Sequence, residues 1–341
     1  MNILYVASEV VPFCKTGGLA DVAGSLPNAL AKAGAKVSVM LPYYKAVHDK
    51  FGGQFEYLGH EYIKLSWRHA YCGLFKMVKD DVTYYFIDNE YYFGRNDFYG
   101  EPDDIERFAF FSRACVSMLK NLDELPDVIN FNDWQCSLIP GYLKMDAYED
   151  ESLRNIKTVL TIHNIEYQGK TGLGDKDDIL GIAGTCVDYG QYEHDGCVNL
   201  LKGAIVLADA VTTVSPTYAQ ELLTSAYGQG LEGVLEHFEY KMYGVLNGID
   251  IDRYNPAKDE FLTTKFDAES LEQRAENKAA LQEALGLEVN PDIPVIGMVS
   301  RMVSHKGLDL VVEVFQGLMD MGVQVAILGQ GDKQYENFYR E

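Results

Sequence analysis

Short apolar runs alternate with longer stretches whose apolar residues recur every three or four positions, through most of the chain. Ile3-Leu4-Tyr5-Val6-Ala7 has the length and composition of a buried strand. Residues 20–33 follow with Ala, Leu and Val at helical spacing, and Gly34 supplies the stop. Lys36–Leu41 predicts a second strand ended by Pro42. Glu56–Leu65 and residues 71–78 predict a hairpin beside the main sheet, and 82–87 a further buried strand. Helical spacing over 104–122 and 136–145 brackets a strand at 128–131, and 158–162 is another strand. A helix over 198–208 leads into a strand at 210–214. Ser215 and Pro216 then fit the cap and first position of a helix, and 243–246 is a short strand. Strand–helix alternation of this kind predicts an α/β fold with a parallel sheet covered on both faces.

The pattern changes after Asp252. Asn255-Pro256 and the polar residues 257–266 read as a hinge, which makes 1–255 one Rossmann-like domain. Residues 256–341 then hold the hinge, a helix over 269–285, the strand Val295–Val299, a helix over 306–319 and the strand Gln324–Leu328. That is one crossover unit, whereas a doubly wound domain takes on the order of 100 residues. The second domain is expected to be incomplete.

Composition narrows the partners. No apolar run approaches the ~18 residues of a membrane span, and the start lacks the basic region of a signal peptide. The six cysteines are scattered without paired spacing and read as free thiols of a cytoplasmic protein. A formal net charge of -22 argues against nucleic acid or an anionic membrane as a partner. An anionic substrate would need locally placed cations.

Such cations stand at two strand-to-helix turns. Lys15-Thr16-Gly17-Gly18 precedes the first helix, where backbone N–H groups lack partners and the helix dipole is positive. Glycine lets a ligand approach the backbone, so a phosphate suits this turn, with Lys15 as an added charge. It is not a Walker loop, because the lysine precedes the glycines. Arg301 and Lys306, in Ser300-Arg301-Met302-Val303-Ser304-His305-Lys306-Gly307, follow the first strand of the second domain and suit a diphosphate leaving group. Asp133, in Asn132-Asp133-Trp134, follows a strand end and reads as a ligand group or a helix cap. His163 and Asn164 follow another strand end, and Glu166 reads as structural. Asn247-Gly248-Ile249-Asp250 closes the first domain. Residues 88–100 are rich in Tyr and Phe around Arg95, a sugar-stacking loop or a plain aromatic surface.

The string Glu9-Val10-Val11-Pro12-Phe13-Cys14-Lys15-Thr16-Gly17-Gly18-Leu19-Ala20-Asp21-Val22 closely resembles the amino-terminal signature of bacterial glycogen synthases and plant starch synthases. The loop from Thr161 to Gly169 and the Ser-Arg-x4-Lys-Gly pattern at Ser300 resemble the same family. The resemblance implies two Rossmann-like domains of the B-type glycosyltransferase fold (GT-B). It implies transfer of glucose from ADP-glucose to the non-reducing 4-hydroxyl of an α-1,4-glucan with retention, with no metal or other cofactor. On that footing Lys15, Gly17, Gly18, Arg301 and Lys306 hold the diphosphate, and His163, Asn164, Asp133 and Asn247 lie at the sugar. Asp21 contacts the sugar or holds the glycine loop. Gln135 stands where the family's Asp-Trp-His motif has histidine. Asp250-Ile251-Asp252 matches an A-type metal motif but fits the B-type domain exit. Family members place a catalytic glutamate and the base pocket beyond residue 341, so this chain alone is expected not to turn over. A non-catalytic glucan- or nucleotide-binding fragment, or another B-type sugar transferase such as a phosphorylase, is the alternative.

Overall fold

Ile3, Leu4, Tyr5 and Val6 are each at most 6% exposed, as a strand packed on both faces requires. They belong to β1 (Asn2–Val6), and the computed structural model describes residues 1–340. The remaining strands are β2 (Lys36–Pro42), β3 (Glu56–Leu65), β4 (Arg68–Lys79), β5 (Val82–Asp88), β6 (Val128–Asn132) and β7 (Lys157–Ile162). They continue with β8 (Lys170–Thr171), β9 (Glu193–His194), β10 (Cys197–Asn199), β11 (Ala210–Thr213), β12 (Met242–Gly244), β13 (Val295–Val299) and β14 (Gln324–Leu328).

The chain divides into two compact units between Gly248 and Ile249; the sequence pattern put the division after 255. In the first unit the main sheet runs β12-β11-β7-β6-β1-β2-β5-β4-β3. Every pairing from β12 to β5 is parallel, and β4 and β3 are antiparallel additions. The hairpin is therefore not beside the sheet but its outermost part. A three-stranded sheet, β8-β10-β9, packs alongside. Its strands are two or three residues long, too short to carry a legible alternation, and they take Cys197–Asn199 out of the helix expected from 198. Asn199 caps that helix instead, accepting from Lys202 N–H at 3.0 Å, so the helix is Leu200–Leu207. The helix expected at 136–145 is Ile139–Glu149, because Pro140 fits only the first turn, where no N–H is needed.

The second unit pairs β13 and β14 in parallel, with the helices Arg274–Ala284, Leu308–Asp320 and Lys333–Phe338. Both strands are apolar, yet Val299 is 80% and Leu328 70% exposed.

Candidate active site

Because β1, β2, β5, β6, β7, β11 and β12 run parallel, their carboxyl ends share one edge. The order reverses at β1, which lies between β2 and β6. In open parallel sheets ligands bind outside the carboxyl ends at such a reversal. Lys15, Gly17, Gly18 and Asp21 follow β1, Asp133 follows β6, His163 and Asn164 follow β7, and Asn247 follows β12. All the first-unit candidates thus stand on that edge. Arg301 and Lys306 belong to the second unit, where both are exposed after the carboxyl end of β13.

The glycine turn is already engaged by an anion from within the chain. Glu9, 4% exposed, accepts from the N–H of Thr16, from Thr16 Oγ1 at 2.9 Å and from Gly17 N–H at 3.2 Å. The sequence alone leaves these N–H groups open for phosphate and assigns Glu9 no role. The structure corrects this for Thr16 and Gly17. The glycine that can still meet a ligand is Gly18, first residue of the helix Gly18–Lys32, where a Cβ would touch nothing within 4 Å. Gly17 has extended backbone, φ -146°, so it is not required by a left-handed conformation. Lys15 Nζ lies 2.8 and 2.7 Å from the two carboxylate oxygens of Asp21. Both side chains are more than a third exposed, so water competes with this pair and a phosphate could replace the carboxylate.

The Asp133 and His163 loops interlock. Asp133 adopts φ +55°, a conformation that costs a non-glycine residue about 1–3 kcal/mol and clusters at functional sites. Its N–H donates to Thr161 O at 3.0 Å, and its Oδ1 accepts from the N–H groups of His163 at 2.7 Å and Asn164 at 3.4 Å. Trp134 covers Gly169, where a Cβ would come within 2.5 Å of the indole. Asn132, fully buried, orients the imidazole. Its Nδ2 donates to Val6 O at 2.8 Å, which fixes the amide, and its Oδ1 accepts from Tyr5 Oη and His163 Nε2, both at 2.9 Å. Nε2 of His163 therefore carries a proton in this contact. In the sequence Asn132 is marked only by its place in Asn132-Asp133-Trp134.

Burial pushes the Asp133 carboxyl above its ordinary pKa, with His163 and the two N–H donors pulling the other way. A carboxyl held above its ordinary value favours the fold at low pH and loses that contribution as pH rises through the raised value. Asp133→Asn keeps the accepting oxygen. It is expected to melt progressively above the wild type as pH rises past the ordinary carboxylate range, with the two converging at acid pH. Parallel melting curves between about pH 3 and 8 would show that ionising Asp133 costs the fold nothing.

Other candidates have local duties. Glu166 is exposed and its N–H donates to Asn164 Oδ1 at 2.9 Å. Asp250 Oδ1 accepts from the N–H groups of Asp252 and Arg253, holding a turn. Asn247 is exposed. The Gln135 main-chain oxygen accepts from Ser112 Oγ at 3.2 Å, while its buried Oε1 has no partner. In the aromatic loop Tyr92 and Phe93 are core residues, Arg95 forks onto Asp103 at 2.5 and 2.6 Å, and Tyr99 meets Ser8 Oγ at 2.7 Å. That loop is thus tied to the chain entering the glycine turn.

A doubly wound α/β unit with polar and cationic groups at its switch point is the architecture of a ligand-binding enzyme domain, and comparison with known proteins specifies it further. The family model for the starch synthase catalytic domain matches residues 2–237. The glycogen synthase of Streptococcus uberis is 42% identical over 340 residues, which is all of this chain and 71% of that protein. That of Clostridium novyi is 43% identical over 341 residues, with the same coverage. The catalytic domain of Starch Synthase IV from Arabidopsis thaliana, solved bound to ADP and acarbose, superposes with a TM-score of 0.89 at 32% identity, over 99% of this chain and 70% of that one. The chain belongs to the glycogen and starch synthase family of glycosyltransferases and has its GT-B fold. Among the described residues no helix is long and apolar enough to cross a membrane.

Proposed function

We propose that this chain takes part, in the cytoplasm, in transferring glucose from ADP-glucose to the non-reducing 4-hydroxyl of an α-1,4-glucan with retention, and that the named residues divide the work. Lys15 and the N–H of Gly18 take the donor's diphosphate, with Asp21 released from Lys15 as it arrives. Asp133, Asn164, Asn247 and His163 hold hydroxyls of the glucose. The leaving phosphate takes the acceptor's proton on the face from which it departs, which gives retention. The first domain, about 1–255, carries the acceptor side and the glycine loop, and the remainder contributes to nucleotide-sugar binding. What carries this reading is the gathering of the Lys15–Gly18 turn and the Asp133–His163 pair at one switch point, in a chain of this family.

Calorimetric titration with ADP, ADP-glucose and UDP-glucose tests it. ADP-glucose is expected to bind in preference to UDP-glucose. Lys15→Gln is expected to weaken ADP-glucose by about 1–3 kcal/mol, the range of a charge-assisted hydrogen bond, with an unchanged melting curve. Undiminished affinity in that variant would remove Lys15 from the site.

A further inference from the structure

A cavity of about 610 Å³ in the first unit shares no lining residue with the group at the carboxyl edge. It is bounded by the helices Leu200–Leu207 and Glu232–His237 and by the segment from Tyr189 to His194. Its size falls in the range of small-molecule sites, about 300–1,000 Å³. Three basic side chains line it: His194, Lys202 and His237. His194 Nε2 donates to Gly230 O at 2.8 Å, which anchors the ring. His237 is exposed at the end of its helix, with its ring edge-on to Phe238 at 4.8 Å. Lys202 Nζ donates to Gly190 O at 2.5 Å.

This lysine is placed against three physical preferences at once. It stands in the first turn of Leu200–Leu207, where the helix dipole disfavours a cation, and that turn holds no acidic residue to offset it. It is half-buried, and burial pulls its pKa below the ordinary value while Glu193 pulls the other way. Among the described residues no carboxylate lies within ion-pair distance of its ammonium. Glu193 is held by Lys176 at 2.5 Å, and Asp195 lies 3.4 Å from His194 Nε2. The bond to Gly190 O needs only a neutral donor and does not account for the charge. Residues that break local rules without a local gain are expected at functional sites. An anion in the cavity would relieve all three conflicts. The helix's own N–H groups do not call for one, because those of Leu200, Leu201 and Lys202 already donate to Gly169 O, Gln168 O and Asn199 Oδ1. With a formal net charge of -22, only local cations can hold an anion here. One ammonium and two imidazoles that can each take a proton match a phosphate monoester, with its charge of about -1.5 to -2. A carboxylate would leave part of that set unmatched. Tyr189 and Gln191 line the same cavity and supply hydrogen-bond partners for hydroxyl groups.

We propose that this cavity binds a phosphate monoester of a small hydroxylated molecule, held by Lys202, His194 and His237 and separate from the donor site proposed above. Calorimetric titration with inorganic phosphate and with glycerol 3-phosphate is the test, with acetate and glycerol as controls. It is run on the wild type and on Lys202→Met, His237→Ala and Lys15→Gln. Both phosphates are expected to bind the wild type and Lys15→Gln alike, glycerol 3-phosphate more tightly than inorganic phosphate. Lys202→Met is expected to raise both Kd values about tenfold, the loss of one charge-assisted hydrogen bond, and His237→Ala about threefold. His237 is exposed, so its variant reads the site even where Lys202→Met loosens the segment from Tyr189 to His194. Phosphate binding that falls in Lys15→Gln and is untouched by Lys202→Met and His237→Ala would belong to the glycine turn and overturn the site. So would the absence of binding by either phosphate at millimolar concentration, acetate binding as tightly as phosphate, or inorganic phosphate binding more tightly than glycerol 3-phosphate.

Discussion

Glu9→Ala is expected to abolish measurable ADP-glucose binding and to cost the fold about 2–4 kcal/mol, the sum of hydrogen bonds to a charged acceptor and the orphaning of buried donors. The carboxylate is 4% exposed and is the acceptor for two successive backbone N–H groups and a hydroxyl. Truncation to alanine leaves the donors of Thr16 and Gly17 facing a void with no acceptor. The turn would relax, and with it the placement of Lys15 and Gly18, where an error of ~1 Å is costly. Glu9→Gln separates the two effects. One amide oxygen can still accept from Thr16 and Gly17, so most of the stability should return, while the lost negative charge removes repulsion toward an incoming diphosphate. Its ADP-glucose affinity should equal or exceed that of the wild type. Denaturant unfolding alongside calorimetry reads both quantities. Normal donor affinity in Glu9→Ala would show that the turn holds its shape without the carboxylate.

Asn132→Ala should be the second most damaging change, at about 2–4 kcal/mol, with ADP-glucose affinity falling at least tenfold while ADP affinity changes little. The amide satisfies three groups from two segments: Val6 O and Tyr5 Oη of β1, and His163 Nε2. Removing it strands two buried partners and frees the imidazole to turn and exchange tautomers. The split between nucleotide and nucleotide sugar is diagnostic, because a purely structural role would weaken both ligands together. Asn132→Asp should restore the acceptor for His163 but leave Val6 O with the Cys136 thiol in place of the amide donor, giving intermediate stability. Equal losses for ADP and ADP-glucose would place Asn132 in the scaffold alone.

Strand existence was legible from apolar runs because most of the parallel strands are buried on both faces. Val295–Val299 and Gln324–Leu328 match to the residue. The tiny strands β8 to β10 were not legible, since two or three residues carry no period. The helix at 136–145 shifted because Asp133 takes a left-handed φ that delays helix entry until Pro140 can lead it. At the site, motifs indicated which positions gather on the carboxyl edge. They did not indicate what each touches, because Glu9 and Asn132 act through contacts with residues 7 to 127 positions away, as in Glu9 to Thr16 Oγ1 and Tyr5 to Asn132. A glycine turn followed by a helix has the same string whether its N–H groups are free or held. Only the fold shows that an internal carboxylate reached them first.

The stitching of the Asp133 loop to the His163 loop, through three backbone N–H groups and the Trp134–Gly169 contact, makes that half of the pocket a stiff wall. Facing it across the switch point, Lys15 and Asp21 hold one another by an exposed pair that water can open. Substrate-driven adjustment in the first unit therefore falls on one side. On the function proposed above, the glucose would meet a mould already cast, and the diphosphate the part that yields.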